Sequence, residues 1–242
     1  MKQVFLFMLS ASLAITSCSK NDDPTPEESN TVEIGGTTYP TVKIGTQTWT
    51  TVNYNGSGGV NYNDGANDPT YGKLYSFQEV RTISGLPSGW RIPTDADVKK
   101  LLSNVGTKLD GTDIYVDADA SKKLMSTTGW TNTALSGTNT TGLNLMPTGY
   151  LFASSSNSKD YSDKGKLASF WTSTTVQSIS GSTGGAPTYS HDPIFFEIST
   201  ETSDSNDNNI GLRGYLYDTS ASGDGSTTFP SEKRSIRFVK DN

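Results

Sequence analysis

The chain has 242 residues, a formal net charge of −6, one cysteine and one histidine. The acidic balance argues against nucleic acid as a partner, because proteins that bind nucleic acid present a basic face. One histidine excludes a zinc site built from several histidines. Hydrophobic residues make up 32% of the chain and glycine contributes 24 residues, a composition typical of a loop-rich fold with short strands.

The start of the chain predicts a lipoprotein signal peptide. Lys2 precedes an apolar segment over residues 4–15, and small residues stand directly before Cys18. The apolar segment has about a dozen residues, which is too short to cross a bilayer core of about 30 Å. We therefore expect residues 1–17 to be removed and Cys18 to carry a lipid anchor that holds the protein at the outer membrane.

Residues 18–30 predict a flexible tether between the lipid and a folded region. Pro24 and Pro26 stand among polar and acidic residues, a composition typical of an extended linker. Residues 19–23 (SKNDD) resemble the surface-export signal of lipoproteins in the Bacteroidetes, which implies exposure on the cell surface. The alternative is an ordinary solvated linker.

One folded region is predicted over residues 31–242, and it begins with strands. Residues 32–34 and 42–44 alternate apolar and polar side chains, as half-buried strands do, and the Gly35-Gly36 pair can turn a hairpin between them. A third strand is expected over residues 48–54.

Helices follow in the first half of this region. The clearest helix begins after Thr94, a favourable N-cap residue, and stops at Gly106. Apolar residues between them recur at i, i+3, i+4 and i+7, which predicts one buried stripe. Further helices are expected over residues 75–83 and 122–125.

After about residue 143 the pattern changes to strands. Helices in the first half followed by antiparallel strands in the second predict an α+β fold. Strands are expected over residues 145–152, 170–176, 194–198, 211–217 and 235–240.

Several sequence blocks stand in a fixed order along this region. They cover residues 39–49, 62–65, 71–75, 87–95, 123–130, 147–150, 170–174 and 235–240. Together they resemble the Fibrobacter succinogenes major paralogous domain family, and the resemblance extends over nearly all of residues 31–242. It implies a C-type lectin-like fold of the formylglycine-generating-enzyme type, with short antiparallel strands, two to three helices and long loops.

Seven residues of these blocks are expected to support the fold. The four tryptophans stand beside strand or helix signals, so we assign them to the core rather than to sugar-stacking platforms. The two arginines are expected to make buried or half-buried polar contacts. The residues are Trp49, Trp90, Arg91, Thr94, Trp130, Trp171 and Arg237.

The residues do not assemble a catalytic set. Formylglycine-generating enzymes need cysteine chemistry, and the one cysteine, Cys18, begins the predicted tether and lies outside the domain. His191 stands beside Asp192-Pro193, and no Gly-x-Ser-x-Gly elbow accompanies it. We therefore expect His191 to be a loop residue and assign no catalytic residue.

Two oxygen-rich segments are candidate calcium sites, because lectin-like folds often bind this ion. Residues 204–209 resemble the start of a calcium loop but lack the glycine at position six and the glutamate at position twelve of an EF-hand. Polar surface turns are the alternative, and no other cofactor is expected. The candidate metal ligands are Asp64, Asp68, Asp204 and Asn206.

Any ligand site is expected in the loops of the second half, where aromatic residues have polar neighbours, as recognition surfaces do. The alternative is that these loops are simply exposed. The candidate ligand-binding residues are Tyr161, Tyr189, Tyr215 and Tyr217.

The sequence therefore predicts a non-catalytic, surface-anchored recognition or adhesion lipoprotein that binds glycan or protein. Two alternatives stay open. One is a structural or accessory subunit of a cell-surface assembly, such as a pilus or a polysaccharide-uptake machine. The other is an enzyme that acts on glycan or peptide through carboxylates that the sequence does not single out.

Overall fold

The structure, a computed structural model, describes residues 30–106, 118–153, 159–180, 188–200, 213–218 and 232–242. The description is of the backbone for residues 176–180, 188–192 and 213–218. In these ranges the chain forms three sheets with antiparallel strand pairing and three short α-helices. The predicted α+β class is confirmed.

The described elements are short except for one long hairpin. The helices are α1 (Phe77–Thr82), α2 (Asp95–Val105) and α3 (Ala118–Leu124). None of the helices in the described ranges has both the length and the apolar character that a membrane-crossing helix needs. The strands are β1 (Thr31–Ile34), β2 (Thr37–Ile44), β3 (Gln47–Thr50), β4 (Tyr75–Ser76), β5 (Tyr150–Ala153), β6 (Lys159–Ser162), β7 (Leu167–Ser180), β8 (Thr188–Ser199), β9 (Arg213–Asp218), β10 (Lys233–Arg234) and β11 (Val239–Asp241).

The strands are arranged in the orders β1-β2-β3-β11, β4-β10-β5-β6 and β7-β8-β9. The hairpin predicted at the start of the folded region is confirmed. Gly35 and Gly36 turn the chain with φ angles of 59° and 78°, left-handed values that suit a two-residue hairpin turn. The third predicted strand is shorter than expected and ends at Thr50.

Helix α2 forms where its end signals predicted it. The Thr94 hydroxyl accepts a hydrogen bond from the Asp97 backbone N–H at 3.1 Å, and Asp97 Oδ2 accepts one from the Thr94 backbone N–H at 2.9 Å. This reciprocal pair is a capping box. Gly106 ends the helix with a left-handed φ of 96°. The predicted apolar stripe is buried and consists of Val98, Leu101, Leu102 and Val105.

Other predicted elements form with different boundaries. Helix α1 begins two residues after the predicted start, because Tyr75 and Ser76 pair with β10 and Ser76 is the N-cap. Strand β5 begins only at Tyr150, because Leu145 makes an isolated bridge to the residue after α3. Strands β7 and β8 form where predicted and are longer than expected. They span Leu167–Ser180 and Thr188–Ser199, against predictions of 170–176 and 194–198.

Residues 232–242, the linking segment, contact all three sheets. The segment supplies β10 to the second sheet and β11 to the first. Between them, the backbone N–H of Trp171 in β7 donates to the carbonyl oxygen of Ser235 at 3.0 Å. Only the end of the strand predicted over residues 235–240 forms, as part of β11, because residues 235–238 cross from one sheet to another.

Buried side chains form two clusters. The first packs α2 and α3 against Trp49, Trp130 and the Phe170–Phe196 ring pair. The second is mostly aromatic and includes Trp171. Trp49, Trp130 and Trp171 are only 0%, 4% and 0% exposed, so they contribute to the core, as expected from their positions in the sequence blocks.

Arg237 lies fully buried between the linking segment and the rest of the fold. Its Nε donates to Asn53 Oδ1 at 2.5 Å, and its Nη1 donates to the carbonyl oxygens of Thr50 at 2.8 Å and Leu143 at 3.0 Å. Its Nη2 donates to the Asn144 carbonyl at 3.0 Å. Burial lowers the pKa of Arg237 to about 9, so the side chain remains a cation at neutral pH, held by neutral oxygens.

Replacing Arg237 by methionine (R237M) is expected to lower the free energy of unfolding by about 3 kcal/mol or more. The four acceptors stay buried in this variant and lose their donor. Urea unfolding followed by tryptophan fluorescence measures the change. The matched control is R81M, because Arg81 is exposed and its replacement should cost less than about 0.5 kcal/mol. Equal midpoints for the two variants would contradict this role of Arg237.

Glu79 connects α1 to two other parts of the fold. Its carboxylate accepts hydrogen bonds from the backbone N–H groups of Ser76 at 2.7 Å and Gly59 at 2.9 Å. It also accepts one from Lys233 Nζ of β10 at 2.7 Å. Burial alone would raise the pKa of Glu79, but these hydrogen bonds outweigh burial and lower the pKa to about 2.

This shift predicts a loss of stability in acid. Because the pKa of Glu79 is about 2 in the folded chain, against an ordinary value of 4.5, its contribution to the free energy of unfolding is complete above about pH 4.5. The contribution is lost as the pH falls from about 4.5 to about 2. Thermal unfolding of wild type and E79Q across this range measures it, and the two curves should converge at low pH. E33Q, at an exposed residue of β1, is the control; a constant gap between wild type and E79Q would contradict the prediction.

Candidate functional site

The structure brings together two of the residues predicted from sequence, Tyr161 and Asp64. Strand β6 pairs with β5 and places Tyr161 opposite Leu151. The Tyr161 hydroxyl donates to Asp64 Oδ1 at 2.7 Å. Lys159 Nζ donates to both carboxylate oxygens of Asp64, at 2.8 and 2.9 Å. A candidate ligand-binding residue and a candidate metal ligand therefore belong to one cluster.

Two further tyrosines and a lysine complete this cluster. The rings of Tyr62 and Tyr161 have centroids 5.2 Å apart and are inclined at 56°. Lys164 Nζ lies 4.1 Å from the ring centroid of Tyr71 and 5.3 Å from that of Tyr62, within the range of cation–π attraction. We name Tyr62, Asp64, Tyr71, Tyr161 and Lys164 the tyrosine surface. Its three rings are half-buried, and its two charged side chains are exposed.

The backbone beneath this surface is strained at three positions. Asn63, Asp64 and Asp163 have left-handed φ angles of 55°, 50° and 62°. Asparagine and aspartate tolerate this region better than other residues with a side chain, but the conformation still carries a cost. Residues held in such conformations cluster at functional sites. The strain therefore supports the tyrosine surface as the candidate site.

The electrostatics fix the charge states of the Tyr161–Asp64 pair. Burial, followed by the hydrogen bond to the Asp64 carboxylate, raises the pKa of Tyr161 to about 12. The hydrogen bonds from Lys159 and Tyr161 lower the pKa of Asp64. At neutral pH the pair therefore consists of a neutral phenol and an ionised carboxylate.

The same contacts bear on the calcium prediction. Asp64 is already paired with the Lys159 ammonium, and Asp68 Oδ1 accepts the backbone N–H of Thr70 at 3.0 Å. In the part of the chain that the structure describes, no three His, Cys, Asp or Glu side chains come close enough to hold a metal ion. Calcium at Asp64 and Asp68 stays a prediction, and an ion there would have to compete with Lys159.

All four candidate ligand-binding tyrosines lie on strands, so the prediction that they lie in loops is wrong. Tyr161 lies on β6, Tyr189 on β8, and Tyr215 and Tyr217 on β9. The hairpin of β7 and β8 extends beyond the predicted strands, and its extension carries Tyr189 and His191, which is paired with Gln177 of β7. His191 therefore lies on a strand and not in the loop expected for it. The other candidates lie outside the described residues: Cys18, Asp204 and Asn206.

Tyr62, Tyr71 and Lys164 were not predicted as site residues. The two tyrosines lie in sequence blocks that we interpreted as fold markers, and Lys164 belongs to a polar turn. The polar sequence from Tyr62 to Gly65 was the available signal, since aspartate, asparagine and glycine favour turns with left-handed backbone. Their approach to Tyr161 depends on tertiary structure and has no local signature.

Among the motif residues, Arg91 has a well-defined structural role. Its Nη2 donates to Asp97 Oδ1 at 2.5 Å and to Asp241 Oδ2 at 2.7 Å, and its Nε donates to Asp97 Oδ2 at 3.1 Å. The guanidinium thus ties the first turn of α2 to β11. Trp90 differs from the core position expected for it, because its ring is half-buried and lines a surface groove.

The Tyr161–Asp64 hydrogen bond predicts a specific titration. At about pH 11 Tyr161 should remain largely protonated in wild type, and it should ionise more readily in D64N, because the carboxylate that disfavours the phenolate is gone. The ¹³Cζ shift of labelled tyrosine, assigned with Y161F, measures ionisation. D68N is the control, since Asp68 bonds to Thr70 rather than to Tyr161. Identical titration in wild type and D64N would rule out the hydrogen bond.

The comparisons with known proteins give one match. No curated protein and no solved structure is significantly similar to the chain. The family model of the Fibrobacter succinogenes major domain matches residues 42–186, more than half of the 242 residues. This match includes every residue of the tyrosine surface and confirms the resemblance inferred from the sequence blocks. The chain therefore belongs to the Fibrobacter succinogenes major domain family.

Proposed function

We propose that this protein is a non-catalytic recognition or adhesion lipoprotein that binds glycan through the tyrosine surface. The observation that carries the proposal is the convergence of three half-buried tyrosine rings with one carboxylate and one ammonium group. Tyrosine provides a large, rigid and amphipathic contact area with little loss of side-chain entropy.

The groups of the tyrosine surface match the two faces of a sugar ring. The inclined rings of Tyr62 and Tyr161 offer apolar faces to the C–H groups of a sugar. An ionised carboxylate has about four acceptor positions, and Lys159 and Tyr161 use three of those of Asp64. One position on Oδ2 is left for a sugar hydroxyl, and the exposed Lys164 ammonium supplies donors.

The surface is also organised before a ligand arrives. Asp64 is fixed by two partners, and Lys164 is held over two rings. Ordering a flexible side chain on binding costs about 0.5–1.5 kcal/mol. Because this order exists in the unbound fold, a ligand meets a smaller entropic cost.

The cellular setting of the proposal rests on the start of the chain. The signal over residues 1–17, the lipid on Cys18 and the tether over residues 18–30 would hold the domain at the outer surface of the outer membrane. Family membership and the α+β class support a C-type lectin-like fold of the formylglycine-generating-enzyme type as the finer description. A role as an accessory subunit of a surface assembly is the second candidate. It is favoured by the Trp90 groove, which is the surface groove lined by Trp90 with Val80, Ile83, Leu86 and Ile92.

A glycan array tests the proposal on the lipoprotein purified in detergent, with calcium and with chelator. Binding is expected under both conditions, because the Lys159 ammonium already occupies both carboxylate oxygens of Asp64. Y62A and Y161A should each weaken binding by about tenfold or more, as loss of a central aromatic contact does.

The matched control is F152A, which removes an exposed aromatic side chain from the neighbouring strand β5. It should bind like wild type, and circular dichroism checks that all three variants fold. An array without any binding would overturn the proposal, as would equal binding by Y161A and wild type. Binding lost only in chelator would instead point to a calcium site.

A further inference from the structure

A groove of about 320 Å³ lies between α1 and the segment that leads into α2. Its floor is apolar and consists of Val80, Ile83, Leu86, Trp90 and Ile92. Val80 is buried and the other four are half-buried, packed against the aromatic core cluster. The groove shares no residue with the tyrosine surface.

One cation in the lining and one beside Trp90 have no carboxylate partner in the described part of the chain. Arg81 is exposed in the last turn of α1 and lines the groove. Lys240 Nζ lies 5.7 Å from the ring centroid of Trp90. Arg91 also lines the groove, but Asp97 and Asp241 neutralise it. In a chain with a net charge of −6, the groove thus has one unneutralised cation in its lining and a second one beside Trp90.

We propose that this groove docks a peptide segment of a partner protein, in which a large apolar side chain is flanked by acidic residues. The apolar side chain would lie on the floor beside Trp90, and the carboxylates would face Arg81 and Lys240. Such complementarity favours association and excludes basic partners. A protein that anchors itself in a surface assembly needs a docking surface of this kind.

The composition of the floor favours a peptide over a glycan. Four of its five side chains are aliphatic, and Ser173 is the one hydroxyl in the lining. A sugar on this floor would leave the hydroxyl groups that face the aliphatic side chains without hydrogen-bond partners, which is unfavourable. An apolar peptide side chain leaves no polar group unpaired, and its burial against the floor is favourable.

The test uses synthetic peptides Gly-Ser-Z-Z-X-Z-Z-Ser-Gly, with Z as Glu, Lys or Ser and X as Leu, Phe, Trp or Ser. Fluorescence anisotropy measures their binding to the detergent-purified lipoprotein. Peptides with Glu at Z and an apolar X should bind with Kd below about 1 mM, more weakly as salt rises. Peptides with Lys at Z, or with Ser at X, should not bind.

Charge reversal provides a variant that should not disturb the fold. R81E, at an exposed position, should weaken binding of the acidic peptides by about tenfold or more and improve binding of the basic ones. The matched control K43E reverses an exposed charge on β2. It should leave the binding of both the acidic and the basic peptides unchanged. Bound peptide should also shift the tryptophan fluorescence of wild type, and W90F should lose that shift while remaining folded.

Three outcomes would overturn the proposal. The first is the absence of binding by every acidic apolar peptide at about 1 mM. The second is equal binding of the Glu and Lys series, which would show that Arg81 and Lys240 do not select the ligand. The third is a glycan that binds wild type but not W90F, which would assign the groove to sugar.

Discussion

The fold depends on the burial of one cation, Arg237, among neutral oxygens. Removing a charged group from water costs several kcal/mol even after the protein relaxes around it. The cost is recovered only when all the acceptors are in place together. Those acceptors come from the end of β3, from Asn53 and from residues 143–144, so one side chain makes the position of each segment depend on the others.

The geometry of the two candidate surfaces depends on these contacts of Arg237. The tyrosine surface is built on β6, in the same sheet as β10. The Trp90 groove lies beside α1, which follows β4 of that sheet, and Lys240 over Trp90 belongs to β11. Both surfaces thus rest on the linking segment that Arg237 holds in place. The geometry of either surface therefore depends on core contacts as well as on exposed side chains.

Local signals predicted α2 and the first hairpin, because caps, apolar periodicity and paired glycines act within a few residues of the chain. Sequence could not predict that residues 235–238 would leave one sheet for another, since the cause is a buried guanidinium with distant partners. Nor could it distinguish Trp90 from the other three tryptophans, which have similar neighbours along the chain. The Tyr161–Asp64 contact joins residues 97 positions apart and has no local pattern.

The linking segment also determines when the first two sheets can be completed during synthesis. Strand β10 lies between β4 and β5 in its sheet, so those two strands cannot pair through it until the ribosome has passed residue 234. The first sheet lacks β11 until residue 241 is made. The first two sheets therefore cannot be completed until the end of synthesis.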